Sequence, residues 1–240
     1  MAVRPRLRVE TEMSMHRARL GGWLAGIAAA AALVACAGGP PPPDWQANAK
    51  AAIDQAVAAY LAGDARGEAA AFERAREQIS RTGRPDWLAR AELMRCAAQV
   101  ASLAFEPCTG FERLRGDADA AERAYADHLA ARRLTKEDIE RLPAAQRGVA
   151  QAVAAGDAAS VDLQAIDDPL SRLIAVAVLF QAGKASPAAI TMAADTASAQ
   201  GWRRPLLAWL EVLALRAEKA GAVGEGARLR RRMELVQGAK

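Results

Sequence analysis

Three Gly-Asp pairs, Gly63-Asp64, Gly116-Asp117 and Gly156-Asp157, cut the chain into short helix-prone segments. Each joins a glycine, which ends a helix readily because it accepts left-handed backbone, to an aspartate suited to cap the next helix. Asp168-Pro169 and Ser186-Pro187 place a capping side chain before a proline at the first helical position, where no N–H is needed. Thr135-Lys136-Glu137-Asp138 has the form of a capping box. The stretches between these marks are rich in alanine, the best helix former. Asn48 is the sole asparagine, and neither Asn-Gly nor Asp-Gly occurs, so the strongest signals for paired strands are missing. The marks predict an all-α fold of about ten or eleven short helices, at roughly 44–62, 64–81, 85–104, 117–132, 135–141, 143–155, 157–166, 168–182, 186–200, 204–220 and 222–236. Connections this short make neighbouring helices antiparallel hairpins.

Hydrophobic residues make up 52% of the chain but aromatics only 5%, so much of the apolar surface sits on alanine and the helices must approach closely to bury enough of it. Trp87, Ala91, Met94, Ala98, Ala101 and Phe105 recur at spacings of three and four, and Leu93, Cys96, Val100 and Leu103 line another side of the same segment. A helix apolar on two sides belongs at the centre. Leu206 to Leu215 carries one charge, Glu211, and is a second candidate for burial.

The N-terminus has a different character. Leu20 to Ala37 is uncharged, follows the basic run His16-Arg17-Ala18-Arg19, and ends in Leu33-Val34-Ala35 before Cys36. A basic start, an apolar stretch and small residues at the cut are the layout of a secretory signal. Leu33, Val34, Ala35 and Cys36 also fill the four positions of a lipobox, and this segment resembles the leader of bacterial lipoproteins. The resemblance covers only the leader and its cysteine. It implies a signal peptide over 1–35, cleavage between Ala35 and Cys36, and lipid on Cys36. Glu10 and Glu12 are unusual in such a leader, and a start at Met13 or Met15 gives a cleaner signal. The alternative is an uncleaved anchor, since the uncharged run approaches the roughly 17–25 residues that cross a bilayer, although it is weakly apolar.

In that family an aspartate directly after the cysteine favours the inner membrane. Here that position is Ala37, which implies the periplasmic face of the outer membrane. Gly38-Gly39 and Pro40 to Pro43 complete a tether over 36–43 that spans at most roughly 25 Å at about 3.1 Å per residue. The helical domain is expected over 44–240.

With Cys36 assigned to lipid, Cys96 and Cys108 remain, an even pair in an oxidising compartment. Pro107 stops the helix that holds Cys96, so the chain can fold back and join the two sulfurs. Such a loop is worth about 3 kcal/mol. The competing reading is two separate buried thiols. No CxxC redox motif is present.

Charge and inventory exclude several functions. Of 32 Lys and Arg, five lie in residues 1–35, and of 28 Asp and Glu, two; the 205 residues from Cys36 onward therefore hold 27 basic against 26 acidic side chains. Most of the basicity leaves with the leader, which argues against nucleic acid as a partner. His128 is the one histidine beyond the leader, which removes His-based triads and multi-histidine metal sites. It is expected on an exposed helix face. Neither a GxSxG nor a Walker sequence occurs, and Gly221 to Gly226 follows no predicted strand. Glu137-Asp138 and Asp167-Asp168 sit at predicted helix starts, where capping and the helix dipole account for them. The basic run Arg228-Leu229-Arg230-Arg231-Arg232 reads either as a solvated helix end or as a contact for acidic lipid headgroups. No catalytic residue, metal ligand or cofactor site is assigned.

Faint repeats complete the reading. Gln55 to Ala59 recurs as Gln151 to Ala155, each shortly before a Gly-Asp. The first helical pair carries Tyr60, Gly63, Asp64, Ala69, Phe72 and Ala75, similar to the tetratricopeptide pattern, with Ala69 one place late; a weaker echo includes Gly221 and Ala227. Any alanine-rich bundle produces such echoes, and the spacing is too irregular for a regular array. The function expected is a non-catalytic, lipid-anchored scaffold that binds an envelope protein or peptide. The alternatives are an envelope enzyme acting on peptidoglycan through dispersed carboxylates, and a carrier with a pocket near Trp87, Trp202 or Trp209.

Overall fold

A computed structural model describes residues 43–157 and 161–238. The leader, the Ala35/Cys36 cleavage site, the lipidation site and the tether up to residue 42 lie outside the described residues. Among the described residues there are eleven helices and no strand. They are α1 (Asp44–Ala62), α2 (Ala65–Ser80), α3 (Pro85–Ala101), α4 (Thr109–Glu112), α5 (Ala120–Leu129) and α6 (Lys136–Arg141). The remainder are α7 (Ala144–Ala155), α8 (Pro169–Gln181), α9 (Pro187–Ala199), α10 (Arg203–Lys219) and α11 (Val223–Gly238). The fold is all-α.

Most boundaries follow the marks in the sequence. Asp64 caps α2 by accepting from the Gly67 N–H at 2.8 Å, behind Gly63 at φ +86°, a backbone geometry costly for any side chain. Thr135, Asp168 and Ser186 cap α6, α8 and α9 in the same way, and Pro169 and Pro187 open the last two. Three expectations need correction. Asp117 caps nothing; the cap of α5 is Asp119, in a reciprocal box with Glu122. The helix expected over 157–166 is absent from its described part, because the Asp162 carboxylate takes the Gln164 and Ala165 N–H groups into a local turn that competes with helix. The segment expected to run to 104 ends at Ala101, Leu103 adopts φ +60°, and the short α4 follows.

The helices pair as antiparallel hairpins, α1 with α2 and α10 with α11 most extensively. Helix α3 lies at the centre, against α1, α2, α4, α5 and α8. Both of its expected stripes contribute buried residues: Ala91, Ala98 and Ala101 on one, Leu93, Cys96 and Val100 on the other. Met94 is an exception at 38% exposed. Helix α8 is more enclosed still, with Leu173 through Leu179 all buried. In α10, Leu206, Trp209, Leu210 and Ala214 are buried but Leu215 is exposed, so only one face of the expected segment faces inward.

Two polar devices tie this interior together. The Trp209 indole N–H donates to the Ala101 carbonyl at the end of α3, 3.2 Å away, and satisfies a group the helix leaves open. Phe180 meets Trp209 edge-on at 5.6 Å and stacks with Phe105 at 6.5 Å, which fastens the loop after α3. His128, expected on the surface, is instead buried at 1% exposure. Gln146 donates from Nε2 to the Ser171 carbonyl at 2.9 Å, so its Oε1 is the acceptor for the His128 Nε2–H at 3.0 Å. This relay joins α5, α7 and α8. The sequence pattern misplaced His128 because a neutral imidazole with one good partner is as easily buried as exposed.

Candidate functional site

Helix α3 presents opposite faces to two cavities. Residues 92, 95, 96 and 99 share one side by helical spacing, and 90, 93, 94 and 97 share the other. On the first side the chain turns back after Ala101 and returns to α3 through Cys108, which forms a disulfide with Cys96, Cα to Cα 5.8 Å. The bridge expected from the cysteine count is present. Beneath the fastened loop lies a cavity of about 460 Å³, with Tyr60, Glu92, Arg95, Gln99, Glu106 and Thr109 among its polar walls.

Charge in this cavity is held in crossed ion pairs. The Glu92 side chain, 8% exposed, accepts from Arg76 Nη1 of α2 at 3.0 Å. Arg95 lies above the Phe72 ring at 4.8 Å and donates from Nε to Glu68 of α2 at 2.6 Å. Burial pushes the Glu92 carboxyl above its ordinary value, and Arg76 and Arg95 pull it part of the way back. Burial likewise raises the Tyr60 hydroxyl against the pull of Arg204. The Arg204 guanidinium sits 4.2 Å from the Tyr60 ring centre and donates from Nε to the Tyr60 carbonyl at 2.9 Å, tying the start of α10 to the end of α1. Gly110 belongs to the same arrangement: a Cβ there would stand 2.1 Å from Glu92 Oε2.

On the other side of α3 lies a more open groove of about 380 Å³. Leu93, Met94, Ala97, Leu170 and Ile174 give it an apolar floor, and Arg90, Arg141 and Asp168 stand around it. Arg90 also bonds Glu122, the buried capping acid of α5, at 2.9 Å. The Tyr125 hydroxyl is pushed up to about 12, by burial first and by the Asp168 carboxylate second.

Other singled-out residues fall elsewhere. Trp209 is fully buried; Trp87 meets Trp45 edge-on at 5.3 Å, with Arg84 and Arg90 over its ring; neither Trp87, Trp202 nor Trp209 lines the cavity or the groove. Glu137, Asp138 and Asp168 occupy helix starts as expected. The basic run lies within α11 rather than at its end. Arg228 bonds Glu225, Arg230 bonds Glu211 and Glu218, and Leu229 is buried. Among the described residues no group of three or more His, Cys, Asp or Glu could hold a metal ion, and no helix is long and apolar enough to cross a membrane.

Sequence reading missed Glu68, Glu92 and Arg95, and placed Tyr60 only in the hairpin pattern. A partial signal existed for one of them: Ala69 stands one place late in the hairpin pattern, and the place before it, which is buried, holds Glu68. No protein-family model matches the chain, and comparison with curated proteins and with solved structures finds no match.

Proposed function

We propose that the protein is a lipid-anchored envelope scaffold, held through Cys36 at the periplasmic face of the outer membrane, that receives an extended segment or helix of another envelope protein. The carrying observation is the groove beside Met94. It has an apolar floor with a large hydrophobic side chain left 38% exposed, and charges of both signs stand near it. Such a mixture suits a peptide, whose apolar side chains fill the floor while its polar groups meet the rim. The tetratricopeptide-like reading draws on the α1/α2 hairpin, in which Phe72 and Ala75 are buried between helices, although Ala69 is exposed and Glu68 takes its place inside. An enzyme built on paired acids has less support, since Glu68, Glu92 and Glu122 are each bonded to an arginine.

Photo-crosslinking tests the groove. A photoreactive amino acid replacing Met94 in living cells should give a discrete adduct that Leu170→Asp, at a half-buried position of the groove floor, abolishes. The same probe at Val223, which is 77% exposed on α11, should not give it. No adduct at Met94, or the same adduct from Val223, removes the groove. Labelled palmitate tests the anchor: the wild type should be labelled and Cys36→Ala should not, and an unlabelled wild type ends the lipoprotein reading.

A further inference from the structure

The cavity beside the disulfide holds hydrogen-bonding capacity that the fold leaves open. Glu92 Oε1 is engaged by Arg76, but among the described residues Oε2 has no hydrogen-bond donor. Arg95 is bonded through Nε to Glu68, and its two Nη groups have no hydrogen bond among the described residues. Glu106 stands exposed at the rim without an ion pair among the described residues, and the Gln99 and Thr109 side chains add neutral donors and acceptors. One open guanidinium edge and two open carboxylates thus face a single space. The wall between them is partly apolar, made by Phe111, Ala104 and the Cys96–Cys108 bridge.

We propose that this cavity binds a small zwitterion, an amino acid or a dipeptide, with its ammonium toward Glu92 and Glu106 and its carboxylate toward the Nη groups of Arg95. A cation alone would leave Arg95 facing it, and an anion alone would meet two carboxylates. A zwitterion places a charge-assisted bond on each, and such bonds are the stronger kind. The volume of about 460 Å³ lies within the range of small-molecule sites, about 300–1,000 Å³, and leaves room for a short side chain against Ala104 and Pro107. Gly110 keeps the acid in place, because a Cβ at 2.1 Å would drive the Glu92 carboxylate out of position. The site occupies the face of α3 opposite the groove and does not depend on the scaffold reading.

Calorimetric titration of the purified full-length protein decides it, with four probes: alanine, dialanine, N-acetylalanine and alaninamide. At least one zwitterion should bind saturably, and the two half-ligands should each be weaker by about tenfold or more, as expected when one charged group is left unpaired. The tighter of alanine and dialanine tells whether the cavity takes a free amino acid or a peptide. Glu92→Gln should weaken binding by about tenfold, and Glu106→Gln, on the exposed rim where folding is not at stake, by a few-fold. Val223→Glu, on the exposed face of α11 and lining neither space, should leave binding unchanged. The proposal is overturned by the absence of saturable zwitterion binding at tens of millimolar, by half-ligands that bind equally well, or by affinities that neither glutamate substitution changes.

Discussion

Around α8 the chain buries Leu173 to Leu179 without a break, whereas between α2 and α3 it buries Glu68 and Glu92 and answers them with Arg95 and Arg76. The apolar cluster on the α1/α2 side is small: Ala49, Ala56, Ala71, Phe72, Ile79 and Ala91, four alanines among six. Alanine contributes little area, so burial alone holds this hairpin weakly. Crossed ion pairs fix how α2 seats on α3, and they leave polar space beside it. Apolar closure gives strength without direction; charged closure gives direction and a cavity. The candidate ligand site therefore lies at the charged seam and not in the stronger core.

The largest expected effect comes from breaking the apolar side. Leu173→Ala should cost about 2–5 kcal/mol by chemical denaturation, since Leu173 is fully buried and its loss leaves a cavity. Amide exchange should accelerate across α3, α5, α7, α8, α9 and α10 together, because their buried side chains belong to one apolar cluster. A loss confined to α8 would show that the core is not one cooperative unit.

The two regions also differ in how far they could be read from residues alone. The α8 run carries no charge after Arg172 and opens on Asp168-Pro169, so its start and its helical nature were both legible. Its full enclosure was not, because enclosure depends on which helices cover it. The caps at Asp64, Thr135 and Ser186 were legible because capping is local chemistry. The disulfide was legible from counting cysteines and placing Pro107. The ion pairs were not: Arg95 and Glu68 are 27 positions apart, and nothing local distinguishes a glutamate bound to a distant arginine from a solvated one. The same holds for His128, whose burial depends on Gln146 and Ser171 from two other helices.

Next in size is the seam. Arg95→Met leaves the buried Glu68 uncompensated and should cost about 1–3 kcal/mol, less than for a fully buried pair because the Arg95 side chain is 37% exposed. Glu68→Leu together with Arg95→Met should recover most of that, since apolar replacement of both partners removes the desolvation cost. Amide exchange in the single variant should accelerate in α1 and α2 more than in α8 and α9. Uniform acceleration, or a neutral single variant, would mean that the ion pairs do not set the strength of this seam.

The smallest effect separates the regions by the sign of their response to pH. Burial raises Glu92 above the ordinary 4.5, so between that value and its native one the folded chain binds more protons than the unfolded chain; this contribution to stability grows as pH falls and shrinks as pH rises. Burial lowers His128 below the ordinary 6.5, so between its native value and 6.5 the unfolded chain binds more protons, and stability is lost as pH falls. One proton limits either slope to about 1.4 kcal/mol per pH unit. Denaturant midpoints measured from about pH 7 to about pH 5 should show a falling contribution from His128, which His128→Gln removes while keeping a side-chain amide to meet Gln146. Carried on down to pH 4.5, the same measurement on Glu92→Gln should lack a rising contribution. If both variants shift the curve in the same direction on acidification, the imidazole is not held neutral inside the apolar region, and the contrast between core and seam loses its electrostatic half.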